Sequence, residues 1–159
     1  MQKRYPFAAL AVLASTFVTP IAEVHWMSVF LEFFDHELYF VWGTYSLYNH
    51  RAWIYGSRSN PYMNLGLPYL VVLWIACGIV LSVIILYSSR TDHPPRFVWV
   101  VVASLYLIQI LLPFTVFGAL RDWVFTEYTT YLLPLPIPSF LTIVTLVALR
   151  QMRRQSASL

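Results

Sequence analysis

Charged residues are scarce in this chain of 159 amino acids. Only 11% of its residues are Asp, Glu, Lys or Arg, against about 25% in soluble domains. Because 59% of the residues are hydrophobic, the remaining polar groups are too few to cover a water-facing surface. This composition excludes a soluble enzyme and a disordered segment. The lone cysteine, Cys77, has no partner for an internal bridge, which also excludes a disulfide scaffold.

What the chain has instead is long apolar runs. Four stretches contain no charged residue: 5–22, 59–89, 97–120 and 128–149. A helix that crosses the hydrocarbon of a bilayer needs about 20 residues, and closely spaced apolar residues without strict alternation favour helices over barrel strands. The sequence therefore predicts an all-α integral membrane protein, a single domain over residues 1–159 built on a four-transmembrane-helix bundle. The expected spans are about 5–24, 65–87, 97–120 and 137–152.

Basic residues gather on one side of these spans. That side has seven basic residues and a single acid, Asp92, for a net charge of +6, whereas the other side has three basic residues and six acids, for a net charge of −3. Since Lys and Arg concentrate on the cytoplasmic side, we expect a multi-pass protein of the cell membrane with both termini inside. The outer cap then comprises residues 25–64 and 121–136. No basic face interleaved with aromatics exists, so nucleic acid is not an expected partner.

The first apolar run has a second interpretation. Lys3 and Arg4 followed by apolar residues are also typical of a cleaved signal peptide, with a cut after Ala22. Pro20 then occupies a position that wants a small residue, which makes the cleavage signal poor. A retained first span is the favoured alternative.

The cores of the four spans contain no ionisable residue, which argues against an ion pump or a proton-coupled transporter. Gln109 is the most polar deep side chain, and we expect it to form a hydrogen bond between helices. Small residues at close spacing favour tight helix packing. The candidate packing positions are Ala11, Ser15, Gly78, Ser82 and Gly118.

The first outer loop concentrates acids and histidines. If residues 24–42 form a helix, the polar side chains fall on one stripe, and Glu32 and His36 are one turn apart. Imidazole and carboxylate groups suit transition metals, although a solvated helix face is the simpler explanation. The candidate metal ligands are Glu32, His36, His25, Asp35 and His50. No catalytic residue is identified, an enzyme is not favoured, and the sequence requires no cofactor.

The same loop also has a strand interpretation. Segments 38–48 and 52–55 are rich in aromatic and β-branched residues, with a possible turn at 49–51, and 123–131 in the second outer loop is similar. The cap is therefore either an amphipathic helix or a short β-hairpin that pairs with a strand from the second loop. Its aromatic residues are candidate partner contacts: Trp42, Tyr45, Tyr48, Trp53, Tyr55 and Trp123.

Trp26 and the run Val41-Trp42-Gly43 stand in the long first loop of this four-span layout. The layout resembles the claudin family of tetraspan junction proteins, which has an outer-loop Trp and a Gly-Leu-Trp motif. The order of Trp and Gly is reversed here, and the family's paired outer cysteines are absent. The resemblance implies an outer β-cap used for adhesion or assembly.

Three functions fit these features. The first is a protein that acts through contacts, as a subunit of a homo- or hetero-oligomeric membrane complex or as an adhesion protein. The second is a small membrane enzyme or metal-binding subunit that uses the acid and histidine group. The third is a binder or carrier of a lipid or small molecule.

Overall fold

The computed structural model describes residues 4–28, 33–46, 51–54, 67–91, 94–124 and 128–157. The described chain is mostly helical. Its helices are α1 (Arg4–Val18), α2 (Leu67–Arg90), α3 (Arg96–Val124) and α4 (Ile137–Ala157). Its strands are β1 (Ala22–Ser28), β2 (Phe33–Tyr39), β3 (Gly43–Ser46), β4 (Arg51–Ile54) and β5 (Tyr128–Pro134).

Two of the helices are long and apolar enough to cross a membrane. Their apolar windows are Tyr69–Arg90 in α2 and Arg96–Thr115 in α3, with mean hydropathies of 2.8 and 2.2. The apolar parts of the other two helices are shorter, at Tyr5–Val18 and Ile137–Met152. By length and composition, α2 and α3 therefore meet the requirement for a span, while α1 and α4 fall below it.

The first helix ends earlier than the sequence analysis expected. The expected first span reached residue 24, but α1 stops at Val18 and β1 begins at Ala22. The last bond of the helical turn runs from the Thr19 amide to the Ser15 carbonyl at 2.9 Å. Pro20 has no amide hydrogen to continue the ladder and disfavours helical geometry at the preceding residue, so it terminates the helix.

Of the two alternatives for the cap, the amphipathic helix over residues 24–42 is wrong, because this segment contributes the strands β1 and β2. The strand alternative agrees with the antiparallel pairing of β3 with β4. The five strands form one antiparallel sheet in the order β4-β3-β2-β1-β5. A strand of the first loop does pair with a strand of the second, but that strand is β1 rather than part of the expected hairpin. Helical periodicity is a local signal, and the backbone partner supplied by β5 across the chain overrides it.

The helices pack around two apolar clusters at opposite ends. The sheet-end cluster joins the sheet to the start of α2 and comprises Ile21, Ala22, Tyr39, Val41, Leu70 and Trp74. The distal cluster draws on all four helices and comprises Ala9, Val12, Leu81, Ile85, Val98, Val102, Leu146 and Leu149. Helix α1 packs against α2 and α4, and α3 packs against the same two helices.

Candidate functional site

The sheet is seated directly on one end of the helices. Tyr39 at the end of β2 and Val41 beyond it are buried against Leu70 and Trp74 of α2. The segment that leaves α1 is tied to the sheet by backbone bonds, with the Ile21 amide donating to the Tyr39 carbonyl at 2.6 Å. The Leu135 amide donates to the Ile21 carbonyl at 2.9 Å. These bonds attach the sheet to the segments that leave α1 and enter α4.

The β2–β3 hairpin carries an aromatic pair, of which Phe40 is half-buried and Trp42 is exposed. The Phe40 amide donates to the Gly43 carbonyl at 2.8 Å, so only Val41 and Trp42 form the turn. The rings of Phe40 and Trp42 are stacked, with centroids 4.7 Å apart. Trp42 remains 42% exposed although Val41 beside it is buried. We call Phe40–Trp42 the hairpin tip.

The candidate metal ligands that the structure describes lie on strands instead of on one face of a helix, so the register of β1 and β2 decides which of them are neighbours. His25 of β1 lies directly opposite His36 of β2, and Asp35 lies opposite Trp26. Because successive residues of a strand belong to opposite faces, Asp35 and His36 are on different sides of the sheet. The sheet therefore brings His25 and His36 together and separates Asp35 from both. Glu32 and His50 lie outside the described residues.

One carboxylate has a defined partner beneath the sheet. The Tyr39 hydroxyl donates to Glu37 Oε2 at 2.6 Å, and Tyr39 is only 4% exposed. The two residues are next-but-one neighbours on β2 and so share a face. Sequence reasoning missed this pair, because it placed both residues on a helix, where a spacing of two points them apart.

The other candidate contact residues are spread over the sheet and one helix. Tyr45 lies on β3 and is half-buried, Trp53 belongs to β4, and Trp123 is close to the end of α3. Tyr48 and Tyr55 lie outside the described residues. The candidates thus fall on different elements, and Trp42 is the exposed large aromatic among those whose side chains are described.

A buried polar contact joins two helices between the apolar clusters. The Ser139 hydroxyl of α4 donates to Gln109 Oε1 of α3 at 2.7 Å, and both residues are fully buried. The expected interhelical bond of Gln109 is confirmed. Within the described residues, Gln109 Nε2 and the indole Nε1 of Trp74 have no hydrogen-bond partner. The sequence pattern did not identify Ser139 as the donor to Gln109, because this role depends on how α4 packs against α3.

The α1–α2 contact is the most extensive between helices. A Cβ added to Gly78 would lie 2.7 Å from Thr16 Cγ2 and closer still to Thr16 Oγ1. Ser15 and Ser82 are buried and bond to carbonyls of their own helices, those of Val12 and Gly78. Sequence reasoning did not identify Thr16 as a residue of this contact.

The remaining packing candidates lie elsewhere. Ala11 is exposed on α1, and Gly118 belongs to the later part of α3. Among the side chains that the structure describes, no group of three or more His, Cys, Asp or Glu is placed to hold a metal ion. No family model, curated protein or solved structure matches this chain.

Proposed function

We propose that this chain is a four-span protein of the cell membrane whose outer sheet acts through contacts with other proteins. Both termini are then cytoplasmic, and the sheet is outside. The function belongs to a complex subunit or an adhesion protein, the role implied by the claudin-like layout. The observation that carries it is the ordered five-stranded sheet seated on one end of four apolar helices.

Exposed aromatics at the two ends of α2 support the membrane setting. Tyr69 at the start and Tyr87 near the end are both exposed, and their 18-residue separation corresponds to about 27 Å of helix. The hydrocarbon core is about 30 Å thick, and Tyr and Trp prefer its two interfaces. At the end opposite the sheet, Tyr87 lies beside Phe97, with ring centroids 6.2 Å apart.

The shortest helix, α1, completes a crossing through a buried non-helical segment. Helix α1 has 15 residues, or about 22 Å, but the chain continues to Ile21 and Ala22, which are buried against α2. Irregular backbone at membrane depth is tolerated where protein covers it and its polar groups are paired. The backbone bonds at Ile21 supply that pairing. Four spans therefore fit helices of unequal length.

Charge at the helix ends supports the orientation. Arg4 begins α1, Arg90 ends α2, Arg96 begins α3 and Arg150 is in the later part of α4. All four are at the end away from the sheet. Because Lys and Arg favour the cytoplasmic side, the sheet belongs outside.

The length of the first connection supports a function for the sheet. Connections between helices of a bundle usually need two to eight residues, yet residues 19–66 join α1 to α2. Connections of this length that contain strands usually carry function. A sheet held rigidly on the helices presents aromatic residues to a partner at a low cost in conformational entropy.

The contact function is tested by cross-linking in native membranes, followed by purification in mild detergent. We expect a cross-linked species larger than the 18.5 kDa chain, and we expect Tyr45→Ser and Trp53→Ser to reduce it. Tyr87→Ser is the matched control, because Tyr87 is an exposed aromatic of α2 at the end opposite the sheet. A chain that remains monomeric in both measurements would refute the contact function.

The register of His25 and His36 favours a second candidate, a metal-binding cap. Directly opposed residues of neighbouring strands share a face, and two imidazoles are suitable ligands for zinc or copper. Metal analysis of the purified protein, compared with the variant His25→Ala/His36→Ala, tests this candidate. Bound metal that the double variant loses supports it, and a metal-free wild-type protein ends it.

A further inference from the structure

We propose that the hairpin tip, Phe40–Trp42, is an anchor that inserts into the headgroup and glycerol region of the outer lipid leaflet. The occupant of this surface is lipid, and the inference rests on the membrane setting proposed above. It assigns to Trp42 a contact with the bilayer rather than with a partner chain.

The composition of the turn is the first argument. Two-residue hairpin turns favour Asn, Gly and Asp, because these residues adopt the required backbone conformations easily. The turn here consists of Val41 and Trp42, both large and apolar. A sequence that departs from local preference at one position usually has a gain elsewhere that offsets it. Burial against α2 explains why an apolar residue occupies position 41 of the turn. It does not explain the tryptophan at position 42, which is exposed.

The height of the tip is the second argument. Val41 packs with Leu70 and Trp74 in the sheet-end cluster. Leu70 is one residue into the apolar window of α2, which begins at Tyr69. The tip therefore lies level with the beginning of the membrane-spanning segment. Tyr69 itself is 75% exposed at this level, as expected of a side chain at the interface.

The chemistry of the pair is the third argument. Tryptophan combines a large apolar ring with one N–H donor, and such side chains are enriched where hydrocarbon meets water. Stacking on Phe40 holds the Trp42 ring in place. In the glycerol region, the ring faces acyl chains while its N–H reaches lipid carbonyls. The same pair in bulk water would leave apolar surface exposed.

Tryptophan fluorescence with depth-marked lipids tests the anchor. The full chain is reconstituted into phosphatidylcholine vesicles with bromine on the acyl chains, near either the headgroup or the chain end. The difference between wild type and Trp42→Phe isolates the emission of Trp42, and Trp42→Phe keeps the aromatic bulk of the tip. We expect bromine near the headgroup to quench this component several-fold more than bromine near the chain end. Trp74→Phe is the matched control, because Trp74 is fully buried and its component should be quenched little at either depth.

Each other outcome overturns the anchor. Quenching of the Trp42 component by acrylamide in the water, but not by brominated lipid, places the tip in solvent. Protection from both quenchers means that protein covers the tip. If the other tryptophans are quenched by lipid and Trp42 is not, the membrane setting stands and only the anchor fails. If no tryptophan responds to brominated lipid, the anchor and the membrane setting fail together.

Discussion

At the scale of single residues, Gly78 shows why the α1–α2 contact needs a residue without a side chain. The Thr16 side chain occupies the volume that a Cβ at position 78 would fill. Thr16 is fixed there by its own hydrogen bond to the Val12 carbonyl at 3.0 Å. For helices that pack in lipid, where no hydrophobic driving force acts between them, such close backbone approach is a main source of packing energy.

We predict that Gly78→Ala lowers the free energy of unfolding in detergent by about 1–3 kcal/mol, the usual cost of overpacking. The gain in helix propensity from glycine to alanine, about 1 kcal/mol, offsets only part of the overlap with Thr16. Thermal unfolding followed by circular dichroism measures the change. The double variant Thr16→Ala/Gly78→Ala should recover most of the loss, because it removes the overlapping atoms.

Ala76→Val is the matched control for this prediction. It also adds volume to a small residue of α2, but Ala76 is exposed, so the added methyl groups overlap nothing. Equal destabilisation by Ala76→Val and Gly78→Ala would mean that the close approach of α1 does not set the cost.

The Gln109 side chain is a buried polar group whose hydrogen-bonding capacity is only partly used among the described residues. One carboxamide oxygen is satisfied by a neighbouring helix, while the amide nitrogen has no partner in the described part of the chain. In the membrane setting proposed above, an interhelical hydrogen bond contributes on average about 0.6 kcal/mol, so this bond would add more to the register of α3 and α4 than to their stability. Pro113 strengthens that interpretation, because it removes the amide that would bond to the Gln109 carbonyl.

At the scale of elements, hydropathy predicted the two long helices, α2 and α3, with nearly the observed bounds. It did not predict a strand such as β1, whose pairing partner β5 is distant in sequence. Helix α2 is observed at Leu67–Arg90 against an expected 65–87, and α3 at Arg96–Val124 against 97–120. Their apolar runs require burial in lipid or protein, and helical geometry alone satisfies the backbone there. The end of α1 was predictable in principle from Pro20, because proline lacks the amide that continues the helical hydrogen bonds and disfavours helical geometry at the preceding residue.

Strand β1 was not predictable in the same way. Its sequence, Ala22–Ser28, contains Glu23 and His25, and read alone it fits a helix stripe as well as a strand. Its two neighbours, β2 and β5, come from different loops. Because pairing energy in a sheet depends on cross-strand neighbours, β1 is specified only when both loops meet. For this reason the helical stripe placed Asp35 on one face with His25 and His36, whereas the register sets His25 opposite His36 and Asp35 opposite Trp26.

We predict that a disulfide can join the two loops across β1 and β5. Met27 and Thr129 are partners in the register, and directly opposed residues have Cα atoms about 4.5–5.5 Å apart, within the range for a disulfide. In a Cys77→Ala background, Met27→Cys/Thr129→Cys should oxidise to a form with faster mobility on non-reducing gels. Met27→Cys/Thr130→Cys is the control, because a shift of one position changes the face of the sheet. Equal oxidation of both pairs would contradict the register.

At the scale of the whole molecule, three features are arranged along the direction of the helices: the sheet, the basic helix termini and the exposed aromatic residues of α2. The sheet and its apolar cluster occupy one end, and the basic helix termini and the distal cluster occupy the other. The exposed aromatics of α2 mark two levels between them. Composition alone indicated a membrane protein, but it could not show that the α1–α2 and α3–α4 connections build one sheet. That arrangement follows from the order of the elements, since both loops leave helices at the same end.

The last prediction separates a four-span from a two-span protein. If only α2 and α3 cross the membrane, both chain termini are on the same side as the sheet. If all four helices cross, the termini are on the side of the α2–α3 connection. In a Cys77→Ala background, single cysteines are placed by Thr44→Cys in the sheet, Thr91→Cys after α2 and Ala157→Cys at the end of α4. Intact cells are then treated with an impermeant maleimide. We expect labelling of position 44 alone, and labelling of positions 91 and 157 only after permeabilisation. Labelling of position 157 in intact cells, with 91 protected, would leave α2 as a span and remove α4 from the membrane.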